Sequence, residues 1–191
     1  MTQPSIGPRP TRPQELETGE EPIDASTLPE GYQARAMTLA DVEAVHELEI
    51  RLFPEDAWPV DMFLAEICHP TRRYTVVECD GAVVAYAGMM AVAETGDVQT
   101  IAVAPRHEGR GIGRWLMNRL QRQAMRAGAE TMMLEVRADN MRAHGLYASM
   151  GYASIHRRRG YYAGGHDAII MSLELHGPHE SITKETTDDH R

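Results

Sequence analysis

The chain is poor in cysteine. Cys68 and Cys79 are the two it has, which excludes a disulfide framework and the usual four-cysteine zinc patterns. Its nine histidines form no HExxH motif and no paired Cys/His spacing, so no metal is expected. Long apolar runs are also missing. The longest uncharged apolar stretch, Gly81 to Ala93, falls well short of the ~20 residues that a spanning helix needs. The N-terminus lacks the basic-then-apolar order of a signal peptide. A soluble cytoplasmic protein that engages no membrane is the expectation. Positive charge is in deficit as well: 19 Lys plus Arg stand against 28 Asp plus Glu, a formal net charge of -9. Phosphate-backbone binding rests on a basic surface, so no direct nucleic-acid partner is expected. A basic partner suits this balance.

The deficit is unevenly placed. Residues 1–30 hold six of the eleven prolines and contribute -4; residues 176–191 contribute -2; the body, residues 31–175, is left with -3. Both ends have too few large apolar residues to offset the entropy of ordering, so both are expected to be disordered. A length of 191 residues suits one well-formed core and not two.

Within the body the hydrophobic period alternates between that of helices and that of strands. Tyr32 to Met37 reads as a strand, and Thr38 with Asp41 as a variant capping box. Val42, Val45, Leu48, Glu49 and Leu52 then run along one helical face. Phe53-Pro54 ends that helix, and Pro59 opens a second one reaching about His69. Tyr74 to Cys79 and Ala82 to Val92, joined by Asp80-Gly81, form a hairpin signature. Asp97 to Ala104 is a strand, Gly111 to Ala127 a helix, Met132 to Val136 a strand and Asn140 to Met150 a helix. Ala153 to His156 and Ala168 to Leu175 close the chain as strands. The order βααβββαβαββ is an α+β fold, a mixed and mostly antiparallel sheet flanked by helices.

Two segments carry chemistry. In the first, the strand Gln99 to Ala104 leads through Pro105 into Glu108-Gly109-Arg110-Gly111-Ile112-Gly113-Arg114 and a helix. Glycines let several N–H groups approach an anion closely, and a helix start adds unpaired donors and a favourable dipole. Arg110 and Arg114 can add charge. This is a pyrophosphate cradle by mechanism. It is neither a Rossmann GxGxxG nor a Walker A loop, which needs Gly-Lys-Ser/Thr. In the second, Leu134-Glu135-Val136-Arg137-Ala138-Asp139-Asn140 places Glu135 on a strand, opposite in facing to its two apolar neighbours. Either Glu135 pairs with an arginine, or it is a general base. Tyr147 comes next, on the following helix and nearly on the face of Asn140; it is either a core aromatic or a proton donor.

These features resemble the GNAT superfamily of acetyl-CoA-dependent N-acetyltransferases over about residues 31–175. Phe53-Pro54 with Trp58 and Phe63, Ile101-Ala102-Val103, the 134–140 segment, and Arg158-Arg159-Gly160-Tyr161-Tyr162 before Asp167-Ala168 are most similar to the ribosomal-protein-alanine N-acetyltransferases. That family acetylates the N-terminal alanine of the eighteenth small-subunit ribosomal protein. The resemblance implies a V-shaped cofactor cleft and acetyl-CoA as co-substrate, with no metal. It implies that Ile101, Ala102 and Val103 offer backbone groups to the pantetheine arm and that Gly109, Arg110, Gly111, Ile112, Gly113 and Arg114 hold the pyrophosphate. Asn140 would contact the cofactor arm, Glu135 would be the base and Tyr147 the acid, and Trp58, Tyr161 and Tyr162 would border the acceptor. The implied partner is a basic protein N-terminus, and the implied state a monomer or weak dimer. One departure stands out: the superfamily loop usually begins with Arg or Gln where this chain has Glu108. Its side chain is expected to face solvent, leaving the binding to backbone amides.

An α-amine suits such a site. Its reference pKa of about 7.8 lies below the ~10.4 of lysine, so a lysine needs roughly 3.5 kcal/mol more to reach the neutral, nucleophilic form. Glu55, Asp56, Asp61 and Glu66 on the early helices could attract a basic acceptor peptide, or could simply be solvated surface. A small-amine acetyltransferase and a non-catalytic acetyl-CoA sensor are the alternatives; a sensor needs neither Glu135 nor Tyr147.

Overall fold

The computed structural model describes residues 27–175. The expectation of disorder for residues 1–30 and 176–191 falls, apart from residues 27–30, outside them. Eleven elements succeed one another in the expected order: β1 (Tyr32–Ala36), α1 (Val42–Leu52), α2 (Val60–Cys68), β2 (Arg72–Cys79), β3 (Ala82–Val92), β4 (Thr95–Val103), α3 (Ile112–Arg126), β5 (Thr131–Arg137), α4 (Met141–Ser149), β6 (Ala153–Tyr162) and β7 (His166–Glu174). The strands form one sheet in the order β1-β2-β3-β4-β5-β7-β6, antiparallel throughout except where β4 meets β5.

That exception makes the cleft. β4 and β5 pair only at Thr95 to Asp97 against Thr131 to Met133. Beyond this, β4 continues along β3 as far as Val103, and β5 along β7 as far as Arg137. The two halves of the sheet part into a V, and the inner edge of β4 past Asp97 carries backbone groups with no strand opposite. The register of β3 against β4 shifts between Gly88 and Met89, which face Thr100 and Val98. Gln99 is therefore the extra residue of a bulge, a device that bends a strand and re-aims the residues beyond it.

Two apolar clusters hold the sheet. On one face Leu116, Leu120 and Ala124 of α3 and Tyr147 of α4 pack with Val77, Ala87, Met132 and Leu134. On the other, Val42, Val45 and Leu48 of α1 and Phe63 of α2 pack with Val76, Tyr86 and Ala102. The α1 stripe forms as its spacing predicts, with Glu49 the one carboxylate in it, 2% exposed. The cap before α1 forms too: Asp41 accepts from the Thr38 N–H at 2.7 Å, and its first turn is a 3-10 turn, Leu39–Asp41. Gly88 allows a close approach, since a Cβ there would lie 2.0 Å from the Tyr74 ring.

β6 is longer than the sequence pattern indicates. It runs past His156 through the three arginines to Tyr162. Its residues from Ala153 to Tyr161 are all exposed, so no apolar alternation announces a strand. Its edge position and the register shifts against β7 leave the pattern to be set by pairing rather than burial.

Candidate active site

The loop after β4 makes one 3-10 turn, Pro105–His107, and then passes through Gly109 and Gly111 at φ of 73° and 86°. These are left-handed conformations that glycine adopts without Cβ strain. Gly111 is the N-cap of α3, whose first internal bond runs from the Trp115 N–H to the Gly111 carbonyl at 2.9 Å. The N–H groups of Ile112, Gly113 and Arg114 therefore have no acceptor inside the helix. They meet a cavity of about 450 Å³ that is walled on its far side by Ile101, Ala102 and Val103. Asn140 also lines it, although its Oδ1 is engaged as the N-cap of α4, accepting from the Ala143 N–H at 3.0 Å. Arg114 lines it with Nη2 donating to Ser149 Oγ at 2.7 Å. Arg110 does not line it.

Glu108 is exposed as expected, yet it is not free in solvent. It pairs with Arg142, and both residues line the cavity. The guanidinium offsets the carboxylate that the loop carries in place of the superfamily's Arg or Gln. Sequence reasoning missed Arg142, which lies on α4, thirty-four residues away.

A second cavity of about 520 Å³ adjoins the first. Leu52, Phe53, Ile101, Asn140, Ala143 and Tyr147 line both. Tyr147 thus stands where the two chambers meet. It is buried, 6% exposed, with its ring against Tyr152 at 6.0 Å. Burial, then the neighbouring Tyr152 and Tyr162, hold its hydroxyl proton on well above the ordinary tyrosine range. In the second chamber lie Glu49, Glu55, Asp56, Glu135 and Asp139, with Arg137 the single basic residue on its wall.

Of the residues expected to border the acceptor, Trp58 and Tyr162 line this chamber. Tyr161 does not; it is exposed and packs edge-on to Tyr162 at 5.1 Å. Of the four carboxylates expected on the acceptor side, Glu55 and Asp56 are in the wall. Asp61 is exposed at the start of α2, and Glu66 is turned away, held by Arg72 Nε at 2.8 Å and by the Tyr74 hydroxyl at 2.9 Å.

Glu135 projects from β5 on the face opposite Leu134 and Val136, which are buried. Its Oε1 accepts from Arg158 Nη1 at 2.6 Å, so the ion-pair reading of this residue is realised. The pair is half-exposed, with side-chain exposures of 49% and 29% for Arg158 and Glu135. Arg158 in turn lies 4.9 Å from the centre of the Tyr161 ring. The Tyr161 hydroxyl also donates to the Glu135 carboxylate, which holds the Tyr161 proton on; with about four acceptor positions on a carboxylate, two donors leave Glu135 room for another.

A profile of the Acetyltransferase (GNAT) family matches residues 42–152. The chain belongs to the GNAT acetyltransferase family. It is 39% identical over 149 residues to the N-alpha-acetyltransferase RimI of Mycobacterium tuberculosis, covering 75% of this chain and 92% of that one. It is 37% identical over 145 residues to the [Ribosomal protein bS18]-alanine N-acetyltransferase of Escherichia coli, covering 73% and 95%. The crystal structure of the ribosomal-protein-S18-alanine N-acetyltransferase from Escherichia coli superposes with a TM-score of 0.68 at 27% identity, over 79% of this chain and 98% of that one.

As a GNAT enzyme the protein uses acetyl-CoA as its acetyl donor, and it is an N-acetyltransferase. The site fits that co-substrate: unpaired amides at the α3 N-terminus suit a pyrophosphate, and the free inner edge of β4 suits an amide-bearing arm. Among the described residues, no group of three His, Cys, Asp or Glu is placed to hold a metal, and no helix is long and apolar enough to cross a membrane.

Proposed function

We propose that this N-acetyltransferase modifies the α-amine of a protein N-terminus, with the alanine at the start of ribosomal protein bS18 as its favoured acceptor. The observation that carries the reading is the pairing of chambers. One presents unpaired backbone donors for the cofactor; the other has five carboxylates to one arginine on its wall; Tyr147 sits at their junction. A chamber of that sign suits a cationic terminus followed by basic residues. The names of the relatives, one an N-alpha-acetyltransferase and another a bS18-alanine acetyltransferase, support the same acceptor.

In this reading Ile101, Ala102 and Val103 align the acetyl-bearing arm, and the amides at Gly109 to Arg114 hold the pyrophosphate. Asn140 and Arg142 close the arm's other side, while Arg110 adds only charge at a distance. The acceptor nitrogen attacks the thioester carbonyl and the C–S bond breaks. Glu135 takes the proton leaving the nitrogen, directly or through one water, at an acceptor position that Arg158 and Tyr161 leave open. Tyr147, kept protonated by burial, gives its proton to the departing thiolate. Trp58 and Tyr162 flank the acceptor; Tyr161 acts from outside the chamber by holding Glu135 and Arg158. The domain that does this spans residues 31–175, acting as a monomer or weak dimer in the cytoplasm and engaging neither nucleic acid nor membrane.

The test is incubation of purified bS18 bearing a free N-terminal alanine with the enzyme and acetyl-CoA, followed by peptide mapping. One acetyl group on the alanine supports the reading. An unmodified alanine, with the enzyme shown by calorimetry to bind acetyl-CoA, refutes it.

A further inference from the structure

Glu49 is buried among the apolar residues of α1 and yet forms part of the acceptor chamber wall. Its partners are two neutral donors: Oε1 accepts from the Trp58 N–H at 3.2 Å, and Oε2 accepts from the Tyr86 hydroxyl. Among the described residues it joins no ion pair. A carboxylate has about four acceptor positions, so two partners leave it room for another. Burying a charge without a counter-charge is costly, and natural cores rarely keep such a group without use.

We propose that Glu49 is the buried counter-charge of the acceptor site, the group whose missing cation is the amine end of the substrate. The inference rests on the acceptor assigned above and adds a residue that selects for it. Glu135 is half-exposed and shared with Arg158, so it offers an incoming ammonium only a screened charge. Glu49 sits in a drier site, where the same charge acts more strongly. It also fixes the chamber wall, because its bond to Trp58 ties the end of α1 to the start of α2.

Burial raises the Glu49 carboxyl to about 7, against a smaller opposing effect of the Trp58 N–H. The ionisable groups around it are Tyr86 on β3, Tyr74 on β2 with Glu66 beyond it, and, on the chamber wall, Glu55, Asp56, Glu135, Arg137, Asp139, Tyr147 and Tyr162. Tyr74, Tyr147 and Tyr162 stay neutral through the assay range, because burial raises all three. Because burial sets its titration, the Glu49 charge appears as pH rises through about 7 and is lost below it.

The experiment compares the full chain with Glu49→Gln on one Ala-starting basic peptide between pH 6 and pH 8.5. Taking the ratio of the two peptide KM values at each pH cancels the titration of the peptide's own amine. The ratio is expected to be about tenfold at pH 8 and to fall toward one at pH 6, where wild-type Glu49 is itself neutral. Tyr86→Phe, which keeps Glu49 but removes a donor to its charged form, is expected to move the midpoint of the wild-type curve upward. A ratio of one at every pH overturns the proposal, and so does a raised ratio that does not change with pH, which marks a purely structural effect. If wild type acetylates no peptide at all, the assigned acceptor fails instead; a wild type that turns over with a flat ratio removes Glu49 alone.

Discussion

At the scale of single residues, the proposed mechanism has Tyr147 and Glu135 divide the proton work by environment. Tyr147 is enclosed and holds its proton, so Tyr147→Phe is expected to lower kcat across the whole pH range without changing the shape of the profile. Glu135→Gln removes the proton acceptor; turnover then depends on amines already neutral, and the profile shifts toward the amine's own titration near about 7.8. Each loss is expected to cost ~10²–10⁴ in rate, read from initial rates of thiol release. Glu49 carries a cost in stability. A carboxyl raised from its ordinary 4.5 to about 7 in the fold contributes stability that is complete below about pH 4.5 and lost as pH rises through 7. Glu49→Gln is therefore expected to be more stable than wild type at pH 8 by about 1–3 kcal/mol, and the gain to vanish as pH falls below about 4.5 in denaturant titrations. Sequence alone marks Glu135 by its facing on a strand and Tyr147 by its helical spacing from Asn140. It presents Glu49 as one member of a mostly apolar stripe; what distinguishes it, a cavity on one side and Tyr86 on the other, comes from an α1–β3 contact that no local pattern encodes.

Among the elements, the parting of β4 from β5 does most to create the site. Three paired positions hold the strands together, and the Gln99 bulge bends β4 just where the chamber opens. Gly88 stands beside that bulge with the Tyr74 ring across it. Gly88→Ala forces a Cβ into a ring that is 6% exposed and anchored through its hydroxyl to Glu66. Overpacking of this kind costs typically 1–3 kcal/mol, so Tm is expected to fall by roughly 3–10 °C in a thermal scan. The order of helices and strands was legible because apolar period and turn residues agree from Tyr32 to Met150. The splay was not legible, since nothing in Val98 to Val103 says where a parallel neighbour stops. The second half of β6 was hidden for a related reason: an exposed edge of arginines carries no burial signal. Arg142 and Glu108 meet only because α4 docks over the glycine loop.

For the whole molecule, the figure of -9 matters less than its distribution. Carboxylates outnumber arginine on the acceptor chamber wall, whereas the cofactor chamber joins a helix N-terminus to Arg114 and Arg142. An attraction set by the acceptor chamber is screened over a Debye length of about 10 Å at 0.1 M salt. The kcat/KM for a basic peptide is expected to fall several-fold between about 50 and 500 mM salt, while that for a neutral Ala-starting peptide changes little; a stopped-time assay at matched pH distinguishes them. The central claim, that this cleft transfers acetyl to a chain terminus, is tested most directly by an Ala-starting basic peptide that also carries one lysine. After incubation with enzyme and acetyl-CoA, fragment-ion mass spectrometry places the group. Acetyl on the terminal alanine beside a free lysine is the predicted result; acetyl on the lysine with a free terminus contradicts the claim.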